Sequence, residues 1–192
     1  MRLKNTILLL FMACLGTTVS AQKYLSTGKA EVSKEWEGNN FTSTKTFTEN
    51  IAEAPQFTVL AKILLNDPLR QKLESEEMVT IFAMTNASFS ELPKKSRDSI
   101  LGNTALVNSM VKYLAVPGRI DSNSLQQEVT KNGGRTSMKT LDGQTLGIRE
   151  TNGNLQLVDS ENRTATIIAS DFYHKNGFFH IVSGLIFPAS EE

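Results

Sequence analysis

Apolar residues follow two periods along this chain. Between Ile51 and Leu114 they recur every three or four positions, the period of a helix with one buried face; beyond Arg135 they alternate, the period of a half-buried strand. Thr46-Phe47-Thr48-Glu49 opens the helical part as a capping box, whose hydroxyl and carboxylate satisfy the first free amides of a helix. Ile51 and Ala54 begin the apolar stripe, Pro55 resets it, and Phe57, Leu60, Ala61 and Leu64 continue it. Asp67-Pro68 reads as the N-cap and first-turn proline of a short helix carrying Leu69 and Leu73. From Met78 to Thr85 the period changes. Val79, Ile81 and Ala83 alternate with Thr80, Phe82 and Met84, and the apolar character of both sets predicts a buried strand. Asn86 is placed to cap a short helix through Phe89 and Leu92. Asn103 is placed to cap a longer one carrying Leu106, Val107, Met110, Val111 and Leu114, which Pro117-Gly118 stops.

Asn132-Gly133, Asp142-Gly143, Asn152-Gly153 and Asn176-Gly177 punctuate the C-terminal part as tight turns. They predict antiparallel strands near Arg135 to Leu141, Thr145 to Glu150, Leu155 to Val158, Thr164 to Ala169 and Phe178 to Phe187. Helices gathered in the first half and hairpins in the second make an α+β domain. Residues 22–46 are polar and aperiodic around isolated Tyr24, Trp36 and Phe41, and read as a linker or arm onto which Trp36 docks.

Residues 1–21 have the parts of a secretory leader: Arg2 and Lys4, the apolar run Ile7 to Leu15, and the small-residue site Val19-Ser20-Ala21. The run falls well short of the roughly 20 residues that span a bilayer, and no later segment is long and apolar enough to cross one. Cleavage after Ala21 is expected, removing Cys14; the competing reading makes Cys14 a lipidated first residue. Expected locations are secreted, periplasmic or outer cell surface, in a Gram-negative bacterium.

The 192 residues carry 20 Lys+Arg and 20 Asp+Glu, and that balance removes the electrostatic case for nucleic acid, which needs a basic face. With one Cys, no disulfide framework and no thiolate zinc site can form. No metal, cofactor or catalytic set is expected. His174 and His180, if on one strand, stand too far apart to share a metal. Asp171 with His174 is the best pair for a hydrolase, although such proximity is commonplace in turns. His180, inside Phe178-Phe179-His180-Ile181-Val182, is read as a buried, hydrogen-bonded structural residue. Asp159-Ser160-Glu161-Asn162 reads as a solvated hairpin. Sequons stand at Asn40, Asn86 and Asn162.

Three segments resemble the fasciclin-like adhesion domain. Val79 to Phe89 is similar to the family's first signature, a strand ending in Thr85-Asn86 and followed by Phe89. Asn176-Gly177 through His180 to Pro188 is similar to the second, and Tyr113 to Ile120 to the Tyr-His-x-x-Pro-Gly segment between them. The resemblance covers about Phe47 to Ala189, and the expected domain is 47–189, with 190–192 a tail. It implies a β-rich wedge or sandwich with helices packed around it. Thr85, Asn86, Phe89, Asp171, Asn176, Gly177, His180 and Pro188 are then positions that hold the fold. Tyr113, Leu114, Pro117 and Gly118 are candidate binding residues, with Tyr113 also suited to the core. Met84 stands where the family has Pro, and Leu114 where it has His, which argues against integrin-type binding through that pair.

The resemblance implies a non-enzymatic module adhering to cells, matrix or surface polysaccharide, as in a biofilm. The alternatives are a carrier of a small apolar ligand, whose cleft the 10 Phe and 6 Met would line instead of the core, and an envelope-polymer hydrolase using Asp171 and His174.

Overall fold

A computed structural model of the chain describes residues 31–190; the leader with Cys14, the start of the polar arm and the last two residues lie outside the described residues. Structure begins earlier than the polarity of the sequence suggests. Ser33–Trp36 (β1) and Asn39–Thr42 (β2) pair as an antiparallel hairpin, so this part of the expected linker is folded. Its few apolar residues are large enough to hold it down. Phe41 is 1% exposed, with its ring 5.1 to 6.3 Å from those of Phe57, Phe172 and Phe179, and Trp36 docks 5.8 Å from Phe57. Asn50 completes the attachment, accepting from the Thr42 N–H at 2.9 Å and donating to its carbonyl at 3.0 Å.

The Thr46 capping box forms as predicted and starts Phe47–Ala52 (α1). A 3-10 turn at Pro55–Phe57 leads into Thr58–Ile63 (α2). The next helix, Asp67–Ser75 (α3), is capped by Asn66 and not by Asp67: Asn66 Oδ1 accepts from Leu69 N–H at 3.1 Å, leaving Asp67 and Pro68 in the first turn. Val79–Met84 (β3) is the predicted strand, buried throughout. Asn86–Ser90 (α4), Lys94–Gly102 (α5) and Thr104–Tyr113 (α6) follow, the last capped by Asn103 as predicted. Helix α6 ends before Pro117-Gly118, because Ala115–Pro117 (β4) already runs as a strand along β3. Ser122–Lys131 (α7) is an additional helix in the half expected to be all strand. The rest is Arg135–Lys139 (β5), Thr145–Thr151 (β6), Asn154–Val158 (β7), Thr164–His174 (β8) and Gly177–Ser183 (β9).

Strands β3 to β9 form one sheet in the order β4-β3-β9-β8-β7-β6-β5. Its two ends approach each other, since Leu141 N–H donates to the Ala115 carbonyl at 2.8 Å, and the sheet curls almost into a barrel with helices packed around it. The architecture is therefore α+β, as expected. The pairing differs in one place: β9 lies between β8, antiparallel, and β3, parallel. Residue alternation reports which face a side chain takes and carries no sign of strand direction. His174 and His180 stand on the two arms of the β8–β9 hairpin, on either side of the predicted Asn176-Gly177 turn.

The aromatic rings of Phe41, Phe47, Phe172 and Phe179 meet on one face of β8 and β9, and each is at most 2% exposed. Burying one such ring contributes roughly 1.5–3 kcal/mol. Asp159 is also buried, contrary to the solvated hairpin expected. Its Oδ1 accepts from Glu161 N–H (2.9 Å) and Arg163 N–H (3.0 Å), and its Oδ2 from Arg163 Nε (2.6 Å) and Phe187 N–H (3.0 Å), pinning the β7–β8 turn to the C-terminal segment.

Candidate functional site

The motif residues fall into two structural clamps and a strap. In the first clamp Thr85, not Asn86, caps α4, its Oγ1 accepting from Ser88 N–H at 3.4 Å. Asn86 reaches sideways: Oδ1 accepts from Val59 N–H at 2.9 Å and Nδ2 donates to the Pro55 carbonyl at 2.8 Å, joining α4 to the start of α2. Ser88 Oγ accepts from Gly184 N–H at 3.1 Å, tying α4 to the end of β9, and Phe89 is 1% exposed. Met84, in the place of the family's Pro, is a buried β3 residue paired with Val182.

The second clamp is the β8–β9 turn. Asn176 Nδ2 donates to the carbonyls of Leu73 and Glu76, both at 2.9 Å, and the Asn176 carbonyl accepts from Val79 N–H at 2.9 Å. A Cβ on Gly177 would lie 1.8 Å from the Val79 carbonyl oxygen, so glycine is what lets β9 run beside β3. Pro188 is half-buried in the segment that Asp159 and Gln144 hold through Phe187 and Ala189.

The strap is residues 118–122, laid over one face of β3, β9 and β8. Thr80 Oγ1 donates to the Gly118 carbonyl and accepts from Ile120 N–H, each at 2.8 Å. His180 Nε2 meets the Ile120 carbonyl at 2.9 Å. Asp171 accepts from Ser122 N–H at 2.7 Å and from the Ser122 hydroxyl, placing a second carboxylate beside Asp121 at the positive end of α7. Asp171 takes a left-handed backbone (φ 59°) beside a bulge in β8, a conformation Asp tolerates better than most residues. The Arg119 guanidinium lies 4.7 Å from the Phe178 ring centre and 5.4 Å from that of Tyr173.

Of the candidate binding residues, Tyr113 and Leu114 are each 1% exposed, whereas Pro117 is exposed and Gly118 half-buried on the strap. Tyr113 Oη donates to the Thr145 carbonyl at 3.2 Å, and burial pushes its phenol up to about 12. The core reading of Tyr113 is the one observed. Arg119, exposed on the strap, and Tyr173, half-buried on β8 beneath it, were left out by the sequence reading; the signal for Arg119 was its place next to the Pro117-Gly118 turn.

Both histidines are enclosed and neutral. His180 is stacked on Phe82 at 5.5 Å, and burial lowers its pKa. His174 is held down to about 4, first by burial; its Nε2 meets the Phe178 carbonyl at 3.1 Å. The Asp171–His174 pair does not assemble. Asp171 serves Ser122 and His180 on the strap side, while His174 faces Phe47 and Phe179 on the other side of the sheet. The sequence reading ended this strand near Ala169 and left the two residues in a turn; because β8 runs on to His174, their three-residue separation puts them on opposite faces. Among the described residues no group of three or more His, Cys, Asp or Glu is placed to hold a metal ion.

The segments that build both clamps and the strap lie within residues 55–188, which match the family model described as the fasciclin domain. The chain is 26% identical over 148 residues to protein sll1483 of Synechocystis sp., covering 76% of this chain and 75% of that protein. It is 21% identical to human periostin, over 76% of this chain and 16% of periostin, and 25% identical to the pig transforming growth factor-beta-induced protein ig-h3, over 71% and 18%. The chain thus spans less than a fifth of those two animal proteins. Among solved structures, the FAS1 domain pair of the insect cell adhesion molecule fasciclin I superposes with a TM-score of 0.63 at 12% identity, over 82% of this chain and 66% of that one. With the strand–Thr–Asn–helix clamp, the Asn–Gly turn and the Pro–Gly strap in their places on a matching fold, the chain belongs to the fasciclin domain family.

Proposed function

We propose that this chain is a non-enzymatic binding module, secreted or held on the envelope, that adheres to a cell-surface or matrix protein or to a surface polysaccharide. Its family membership and its likeness in fold to an insect cell adhesion molecule support an adhesive role. The observation that carries the reading to a surface is the strap. Pro117 and Arg119 are exposed on a segment fixed at Thr80, His180 and Asp171, and Arg119 rests on two aromatic rings. A cation held in place loses little freedom on binding, and Arg and Tyr are among the residues enriched where binding energy concentrates at protein interfaces. Tyr113 and Leu114, being enclosed, offer a partner no surface.

The test is binding of protein expressed from the full sequence to the source organism's cells and extracellular polysaccharide across a range of salt. Saturable binding that Arg119→Ala weakens about tenfold, with the fold intact, supports the reading. Absence of saturable binding by folded protein overturns adhesion; binding indifferent to Arg119→Ala moves the contact away from the strap.

A further inference from the structure

Strands β5 to β8 present two different faces. Leu146, Ile148 and Leu157 take the core side, each at most 1% exposed, and Gln126 of α7 reaches Glu150 on that side at 2.6 Å. On the other side the cross-strand partners Arg135, Arg149, Gln156 and Thr166 stand in one row. The row crosses four strands, roughly 14 Å at about 4.8 Å per step. Arg149 Nε donates to Gln156 Oε1 at 3.3 Å, and Gln156 Nε2 donates to Thr166 Oγ1 at 3.2 Å. Three of the four side chains are thus held in line, and Arg135, exposed on the end strand of the sheet, completes the row.

The two arginines are direct partners across β5 and β6. Like charges so placed, with Cβ atoms about 4.5–5.5 Å apart, destabilise a sheet. Neither makes an ion pair among the described residues. Glu150, the carboxylate next to Arg149, faces α7 instead. Among the residues of β5, β6 and β7 that share the row's side, Lys139 is the one other charged group, and it is also exposed. An anion lying between the arginines turns one repulsion into two attractions, and the guanidinium fork matches a carboxylate.

The neighbours of the pair narrow the anion's identity. The row holds no aromatic side chain on which a base could stack, as single-stranded nucleic acid requires. Nor has it the large apolar or aromatic anchor on which a protein contact concentrates its energy. Beyond the cations it offers amide and hydroxyl, from Gln156 and Thr166, with Ser137 and Thr145 exposed alongside. Cations in line with neutral hydrogen-bonding groups complement a chain that carries carboxylates and hydroxyls together.

We propose that this sheet face binds an acidic, uronate-bearing polysaccharide, with carboxylates on Arg135 and Arg149 and sugar hydroxyls on Gln156 and Thr166. A flat face holds a single sugar weakly, and repeated units along a polymer raise the apparent affinity. The contact is separate from the strap, and neither requires the other.

The probe is polygalacturonate, immobilised and titrated with protein expressed from the full sequence. Its methyl ester keeps the chain and removes the charge; poly-glutamate keeps the charge and removes the sugar. Saturable, salt-sensitive binding to polygalacturonate is expected, about tenfold weaker for either comparison. Arg135→Gln and Arg149→Gln should each weaken it several-fold, while Arg119→Ala on the strap leaves it unchanged. Arg135→Gln should also leave the urea midpoint unchanged or raise it, because it removes a repulsion. Should Arg149→Gln fold poorly through loss of its bond to Gln156, Arg135→Gln alone decides. No saturable binding, equal affinity for the ester or for poly-glutamate, indifference to Arg135→Gln, or loss of binding in Arg119→Ala would overturn the proposal.

Discussion

The Nδ1 atom of His180 accepts a hydrogen bond from the backbone N–H of Asp171, at 3.2 Å. An imidazole nitrogen that accepts carries no proton, so this bond fixes His180 as the neutral tautomer with its proton on Nε2, donated to the Ile120 carbonyl at 2.9 Å. Protonation would set two donors against each other at Nδ1. The Asp171 carboxylate, 3.9 Å away, is the group to which the new proton would turn, in competition with Ser122.

Stability should accordingly fall with acid. His174 titrates at about 4 when folded and near 6.5 when unfolded, and His180 is shifted in the same downward direction. Between these values the unfolded chain binds more protons, so the contribution is complete above about pH 6.5 and is lost as pH falls toward 4. For His174 the limit is about 3 kcal/mol. Glu49 and Asp121, held below the ordinary carboxylate range first by the backbone N–H bonds they accept, add a further loss below about pH 4. Urea unfolding at pH 7.5 and 5.0 measures the slope. His174→Phe should flatten it, and an unchanged slope would contradict this assignment.

Phe41→Ala tests whether the N-terminal hairpin belongs to the domain. The ring sits among Phe57, Phe172 and Phe179, so its removal should cost about 3–5 kcal/mol, seen as a lower urea midpoint. A loose arm would tolerate the change with almost no effect.

Gly177→Ala should prevent native folding, because the added carbon meets backbone at Val79 and cannot be accommodated by a rotamer change. Gly153→Ala is the comparison: its turn offers open space but a φ of 76°, so a loss of about 1–2 kcal/mol is expected. Circular dichroism and expression yield separate the two outcomes, and near-equal behaviour would mean that β3 and β9 pair differently.

Leu114→His restores the family's residue at an enclosed position. The imidazole replaces a leucine that is 1% exposed, so destabilisation of about 2–4 kcal/mol is expected, with no gain in binding to cells. A gain would show that this position reaches the surface.

How much of this was legible depended on apolar content and local chemistry. The Thr46 box, the buried strand from Val79 and the Asn176-Gly177 turn were readable because each has a local cause. Helix α7 was not, since Leu125 and Val129 are its only buried residues and Ser, Asn and Gln fill the rest; α5 has none at all. The hairpin was hidden for a similar reason, with Trp36 and Phe41 standing alone among polar neighbours. The strap is a different case. Asp171 meets Ser122, and His180 meets Ile120, only after two bulges and a parallel pairing have been set, none of which leaves a mark in residue order.

That parallel pairing also bears on how the molecule comes into being. Strand β9 lies between β3 and β8, and the partners Val79 and Gly177 are separated in sequence by most of the sheet and four of the helices. Contacts of such high order are closed late, after the entropy of a long loop has been spent. Until β9 docks, β3 lacks its parallel neighbour and exposes an apolar edge. The domain therefore closes as a single cooperative unit, and removing β9 would leave β3 and β8 each without one neighbour.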